Sequence, residues 1–291
     1  MYGPILSVLL MGMVPVWGLE AGGGTDLPSI TVAPPLVWEG SGAVLNLMRR
    51  LSASGVLIID ADSGQVLAGK AMDQPRPMAS LTKLMTALLI VEHHALDERV
   101  TIPEDIDRVQ GNVVHLPPHD QFTVGDLLSA ALIPSANDAA VALARYHSGT
   151  VEAFVEAMNA RAQSLGLTGT HYMNPTGLDA EGQQSTPHDL AWLTMYLMRY
   201  PEISKRMGIR GTQIQGLQSK KVIFMTHTHA LLHAATPVIA GKTGTTDAAG
   251  QCLLSVMQYG GHRSIVVLLR SSDRYADMKV ILDAFIGNAS P

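Results

Sequence analysis

Apolar positions along this chain cluster in three textures, and each predicts a different kind of element. The first lies near the N-terminus, where Ile5–Trp17 is almost wholly apolar and gives way to small residues and a run of three glycines at 22–24. The stretch is shorter than the roughly 20 residues a membrane span needs, and suits the apolar segment of a cleaved export signal. Gly18 or Ala21 would precede the cut, although no Lys or Arg appears before Arg49 to supply the usual positive charge. A signal peptide over 1–21 is therefore expected, with secretion across the inner membrane into the periplasm. Residues 22–51, rich in Gly, Pro and Ser, are expected to be a linker, and 52–291 the folded domain.

The second texture is short and rich in β-branched residues. Gly55–Asp60 and Gln65–Gly69 flank Ala-Asp-Ser-Gly, a hairpin pattern with Gly64 free to take a positive φ. Cys252–Tyr259 and Ser264–Arg270 form a second such pair around Gly260-Gly261. The third texture is helical. Ser80–Glu92 has long apolar runs without Gly or Pro and predicts a buried helix. Thr123–Arg145 predicts two helices broken at Pro134–Asn137, and Thr150–Leu165 a helix capped by Thr150 and stopped by Gly166. Thr186–Tyr200 begins with Pro187 in its first turn and is followed by Pro201, and Asp273–Phe285 is a last helix. Strands at both ends around a helical middle are not a βαβ repeat. They predict an α+β fold, with an antiparallel sheet built from both chain ends and a helical subdomain on one side.

Composition narrows the function. A length of 291 residues with 47% hydrophobic and 15% charged residues is globular, and a net charge of −5 without basic runs argues against a nucleic-acid partner. Aromatics at 5% exclude a base-stacking platform. The single cysteine, Cys252, allows no internal disulfide and is expected to be buried and inert.

Three short motifs carry candidate chemistry. In Ser80-Leu-Thr-Lys83, residues three apart on a helix share a face, so a hydroxyl meets an amine that apolar surroundings could keep neutral and basic. Ser135-Ala-Asn137 places a hydroxyl and a carboxamide where a helix breaks, able to pass a proton and to hold a peptide or the lysine. Lys242-Thr243-Gly244, placed at the head of the first C-terminal strand, offers a cation and a hydroxyl to an anionic terminus and a glycine for close approach. Each motif alone fits a helix cap, a turn or a strand entry. Each occurs once, in that order, on helix, loop and strand, as in penicillin-binding proteins and serine β-lactamases.

The chain resembles the D-alanyl-D-alanine carboxypeptidase family of low-molecular-weight penicillin-binding proteins. Met78–Thr86, Ser135–Ala139, Asn174–Ala180 and Gly241–Gly250 carry the resemblance, which spans roughly residues 52–290. It implies the penicillin-binding/β-lactamase-like transpeptidase fold, Ser80 as the acylated nucleophile, and Lys83 as its base. It also implies Ser135 as proton relay, Asn137 as positioning group, and Lys242 and Thr243 as the carboxylate anchor. The N–H groups of Ser80 and Thr245 would form the oxyanion hole, and Arg274 would be a further carboxylate partner or a surface charge. The implied substrates are peptidoglycan stem peptides, with β-lactams as covalent inhibitors and no metal or cofactor.

The resemblance also leaves alternatives. Many members continue into a β-rich domain and an amphipathic membrane helix, for which no sequence follows Pro291, and shorter members include D,D-endopeptidases that cut cross-links. A serine β-lactamase shares the motifs but needs a loop glutamate for deacylation, and no convincing one lies between Asn137 and Lys242. A non-catalytic wall-binding domain would be expected to have lost a motif. The histidines His227, His229 and His233, and the pair His115 and His119, invite a metal, but the resemblance assigns them none.

Overall fold

The computed structural model describes residues 41–287. The proposed signal peptide lies outside the described residues. In chain order the elements are α1 (Ser41–Arg50), β1 (Gly55–Asp60), β2 (Val66–Lys70), α2 (Lys83–His93), β3 (Arg99–Thr101) and β4 (Gln121–Thr123). Helices α3 (Val124–Leu132), α4 (Asn137–Ser148), α5 (Val151–Ser164), α6 (Pro187–Leu197) and α7 (Pro201–Gly208) follow. Then come β5 (Gly211–Gln215), β6 (Val222–Thr226), β7 (Val238–Thr246), β8 (Gly250–Tyr259), β9 (His262–Ser271) and α8 (Arg274–Gly287).

The main sheet is five-stranded and antiparallel in the order β2-β1-β9-β8-β7, so the N-terminal hairpin joins the C-terminal strands through β1 and β9. Both faces are covered, which explains the unbroken apolar runs where alternation would mark a half-exposed sheet. Along β1, Leu57 and Ile59 face the helical lobe, while Val56 and Ile58 face a second core with Leu47, Met48 and Leu51 from the chain start and Met278, Ile281 and Phe285 of α8. Each such side chain contributes roughly 1.5–3 kcal/mol on burial.

In the helical lobe α2 is the central helix. Every residue from Lys83 to Ile90 is buried, so it has no solvated face along this stretch. The surrounding helices start where the sequence places caps. The Thr123 hydroxyl accepts from Asp126 N in a capping box, and Thr150 and Thr186 accept from Ala153 N and Asp189 N.

The structure differs from expectation in several places. Residues Ser41–Arg50, expected in a linker, form α1, because Leu47 and Met48 find apolar partners under α8. Pro201 does not end a helical region but opens α7, as proline can at a first helical position. The C-terminal part of the sheet has three strands instead of two, since Lys242-Thr-Gly lies within β7, a strand of its own. Ser80 belongs to a 3-10 turn over Ala79–Thr82, and α2 begins only at Lys83.

Candidate active site

Ser80 sits on a constrained turn. Ala79 before it has φ +50°, a conformation that costs a non-glycine residue energy and persists only where the surroundings enforce it. Here two glycines enforce it. A Cβ on Gly177 would lie 2.0 Å from the Ala79 carbonyl oxygen, and one on Gly244 would lie 2.8 Å from Ser80 N. The Ser80 peptide is thus clasped between the 174–180 loop and β7.

Ser80 Oγ lies 3.0 Å from Lys83 Nζ. The lysine's other partners are Asn137 Oδ1 at 2.6 Å and the Thr176 carbonyl at 2.6 Å. Asn137 Nδ2 donates to the Gln110 carbonyl at 2.7 Å, which fixes the amide with its oxygen toward the lysine. Both non-serine partners can only accept. An uncharged Lys83 amine places its two hydrogens on them and leaves its lone pair for the Ser80 hydroxyl proton. Burial, reinforced by Lys242, holds the Lys83 amine well below the ordinary lysine value of 10.5, with Asp138 opposing.

A second buried lysine closes the other side. Lys242 Nζ donates to Ser135 Oγ at 2.6 Å and to the Thr243 carbonyl at 2.9 Å. Burial, with Arg274 adding to it, pushes this amine down to about 7. Ser135 has φ +68°, so the Pro134 break turns its hydroxyl against the lysine. Asn137 follows as the first residue of α4. Thr243 Oγ1 pairs with Thr228 Oγ1 at 2.6 Å.

Arg274 is buried and its guanidinium is occupied inside the protein. It donates to the Gly244 and Cys252 carbonyls at 2.9 and 2.8 Å, to Gln251 Oε1 at 3.1 Å, and to Thr245 Oγ1. In this arrangement it braces the end of β7 from behind and is not a surface charge.

The sequence motifs therefore converge, with Ser80, Lys83 and Asn137 in one hydrogen-bonded group and Ser135, Lys242 and Thr243 in the next. Sequence reasoning missed the Thr176 carbonyl and Thr228. The first is a backbone group with no letter of its own, although the Asn174-Pro-Thr-Gly stretch that holds it was visible. His227 and His229 are lowered to about 3 and about 4 by burial above all, with Lys242 adding at His227 and Arg274 and Lys242 at His229. The His229 ring lies against Gly241, and its Nε2 pairs with Ser255 Oγ at 2.8 Å. Cys252 is buried, and that burial raises its thiol to about 11.

The family described as D-alanyl-D-alanine carboxypeptidase, peptidase family S11, matches residues 44–273. The chain belongs to this family of serine peptidases. The D-alanyl-D-alanine carboxypeptidase DacF of Bacillus subtilis is 34% identical over 289 residues, covering 96% of this chain and 70% of its own length. A D-alanyl-D-alanine endopeptidase of Pseudomonas aeruginosa is 32% identical over 260 residues, covering 88% of this chain and 78% of its own. Among solved structures, the Streptomyces K15 DD-transpeptidase superposes with a TM-score of 0.77 at 27% identity, over 82% of this chain and 97% of that one. The α+β transpeptidase fold expected from the sequence is the fold observed.

Proposed function

We propose that the protein is a serine-type D-alanyl-D-alanine carboxypeptidase that removes the terminal D-alanine of peptidoglycan stem peptides. The carrying observation is Lys83, whose two acceptors and depressed basicity leave its lone pair facing Ser80 Oγ at 3.0 Å. In the proposed reaction Lys83 takes the Ser80 proton while Oγ adds to the carbonyl of the penultimate D-alanine. The N–H groups of Ser80 and Thr245 receive the oxyanion, and Thr243 with Lys242 holds the terminal carboxylate. Ser135, which accepts from Lys242, gives its own proton to the departing amine and regains the one that Lys83 took from Ser80, which returns Lys83 to its neutral form. D-Alanine leaves, and water, deprotonated by Lys83, cleaves the acyl ester and restores the serine.

A second reading, D,D-endopeptidase, is supported by the endopeptidase relative, whose coverage is nearly as broad. Incubation with pentapeptide and with cross-linked wall fragments separates the two. Free D-alanine is expected, lost in Ser80→Ala, with covalent penicillin labelling lost alongside it. Accumulation of uncross-linked fragments without D-alanine would establish the endopeptidase instead, and rapid penicillin turnover a β-lactamase.

We further infer export to the periplasm, with a signal removed near residue 21 and a folded domain that includes α1. Among the described residues no helix is long and apolar enough to cross a membrane. N-terminal sequencing of protein recovered from the periplasm tests the cut.

A further inference from the structure

Beside the nucleophile's turn lies a cavity of about 350 Å³ that the reaction above does not use. Met78, Ala79 and Leu178 give it apolar walls, Ala248 lines it just past the end of β7, and Asp179 and Glu181 also line it, with no cation among its lining residues. Asp179 Oδ2 accepts from Ala248 N at 3.0 Å, which ties the 177–181 loop to β7. The Glu181 carboxylate makes no hydrogen bond or ion pair among the described residues, and its side chain is exposed.

The sheet dictates what arrives there. β7 is an edge strand, so an extended peptide can lie along it. With the terminal carboxylate at Lys242 and Thr243 and the reacting carbonyl between Ser80 and Thr245, the preceding residues run toward Thr246 and Ala248. The residue just before the acylated D-alanine then reaches the mouth of this cavity. In a peptidoglycan stem peptide that residue is a diamino acid, an apolar chain ending in an amine.

Resting on the carboxypeptidase reading, we propose that this cavity is a specificity subsite in which Glu181 receives the free side-chain amine of that diamino acid. The apolar walls take the methylenes, and Asp179 holds the loop in place. A cross-link converts the amine to an uncharged amide, so the subsite favours strands whose amine has not been cross-linked.

The test compares acyl-Lys-D-Ala-D-Ala bearing a free side-chain amine with the same peptide acetylated at that amine, reading D-alanine release as kcat/KM. The expected preference for the free amine is about fivefold, the upper range for an ion pair at an exposed carboxylate. In Glu181→Gln the ratio falls to near one, and in Glu181→Lys it falls below one. Equal rates in the wild type, or a ratio unchanged in Glu181→Gln, would overturn the subsite and leave the carboxypeptidase reading standing. Release from neither peptide would overturn both.

Discussion

Asn137 Oδ1 lies 2.6 Å from Lys83 Nζ, and the same amide's nitrogen is pinned 2.7 Å from the Gln110 carbonyl. The carboxamide is therefore an oriented acceptor that directs the lysine without charging it. A carboxylate of the same shape would favour the ammonium form. Asn137→Asp is expected to lower penicillin acylation by roughly 10²–10⁴ at neutral pH and to move the acid limb of its pH profile upward. Stopped-flow acylation across pH checks this, and an unmoved limb would refute the account.

Lys242 makes a pH-dependent demand on stability. Its folded value of about 7 lies below the ordinary 10.5, so the unfolded chain binds a proton through that window while the native state resists it. The penalty is complete at and below about pH 7 and vanishes as pH rises past 10.5. Lys242→Met is thus expected to be inactive, and its stability relative to wild type should be highest near pH 7 and fall toward pH 10. Denaturant unfolding at several pH values reads the slope, and a difference that grows with pH would contradict it.

Gly177 tolerates no side chain. It has φ +91°, and its Cβ would meet the Ala79 carbonyl oxygen at 2.0 Å. Gly177→Ala should cost roughly 2–4 kcal/mol and displace the serine's turn. A lowered Tm together with lost penicillin labelling is expected. Full labelling at the wild-type rate would show that the clasp is not required.

Asp277 anchors the chain entry to the last helix. It accepts from Ser52 N, Ser52 Oγ, Ala53 N and Ser271 Oγ at 2.7, 2.8, 2.9 and 2.6 Å. Asp277→Ala leaves buried donors unmatched and should destabilise by roughly 2–4 kcal/mol. Calorimetry checks the loss, and the folded fraction should still label with penicillin.

How much of this was legible depends on what each segment does. β1, β8 and β9 were visible because a sheet buried on both faces needs continuous apolar residues, and β2 because the Ala-Asp-Ser-Gly turn pairs it with β1. β7 was not, because Ala240–Thr246 is small and polar, as suits an edge strand with Gly244 against the Ser80 peptide. The β5–β6 hairpin hid in Gln, Thr and Lys, with Ile214, Ile223 and Met225 as the only buried residues of its strands. Of the candidate site, the three motifs were readable by residue type. The Thr176 carbonyl and the inward-turned Arg274 depended on backbone placement, which residue identity does not encode.

The order of strands β2-β1-β9-β8-β7 carries a consequence for the timing of activity. Ser80 and Lys83 are synthesised before the helical lobe, whereas β7 and β9, the strand that receives β1, come after it. A growing chain therefore holds Ser80 and Lys83 without a sheet to press them into shape. The Ser80 turn takes its shape only when β7 arrives, so assembly of the site is coupled to synthesis of the strands that follow the helical lobe.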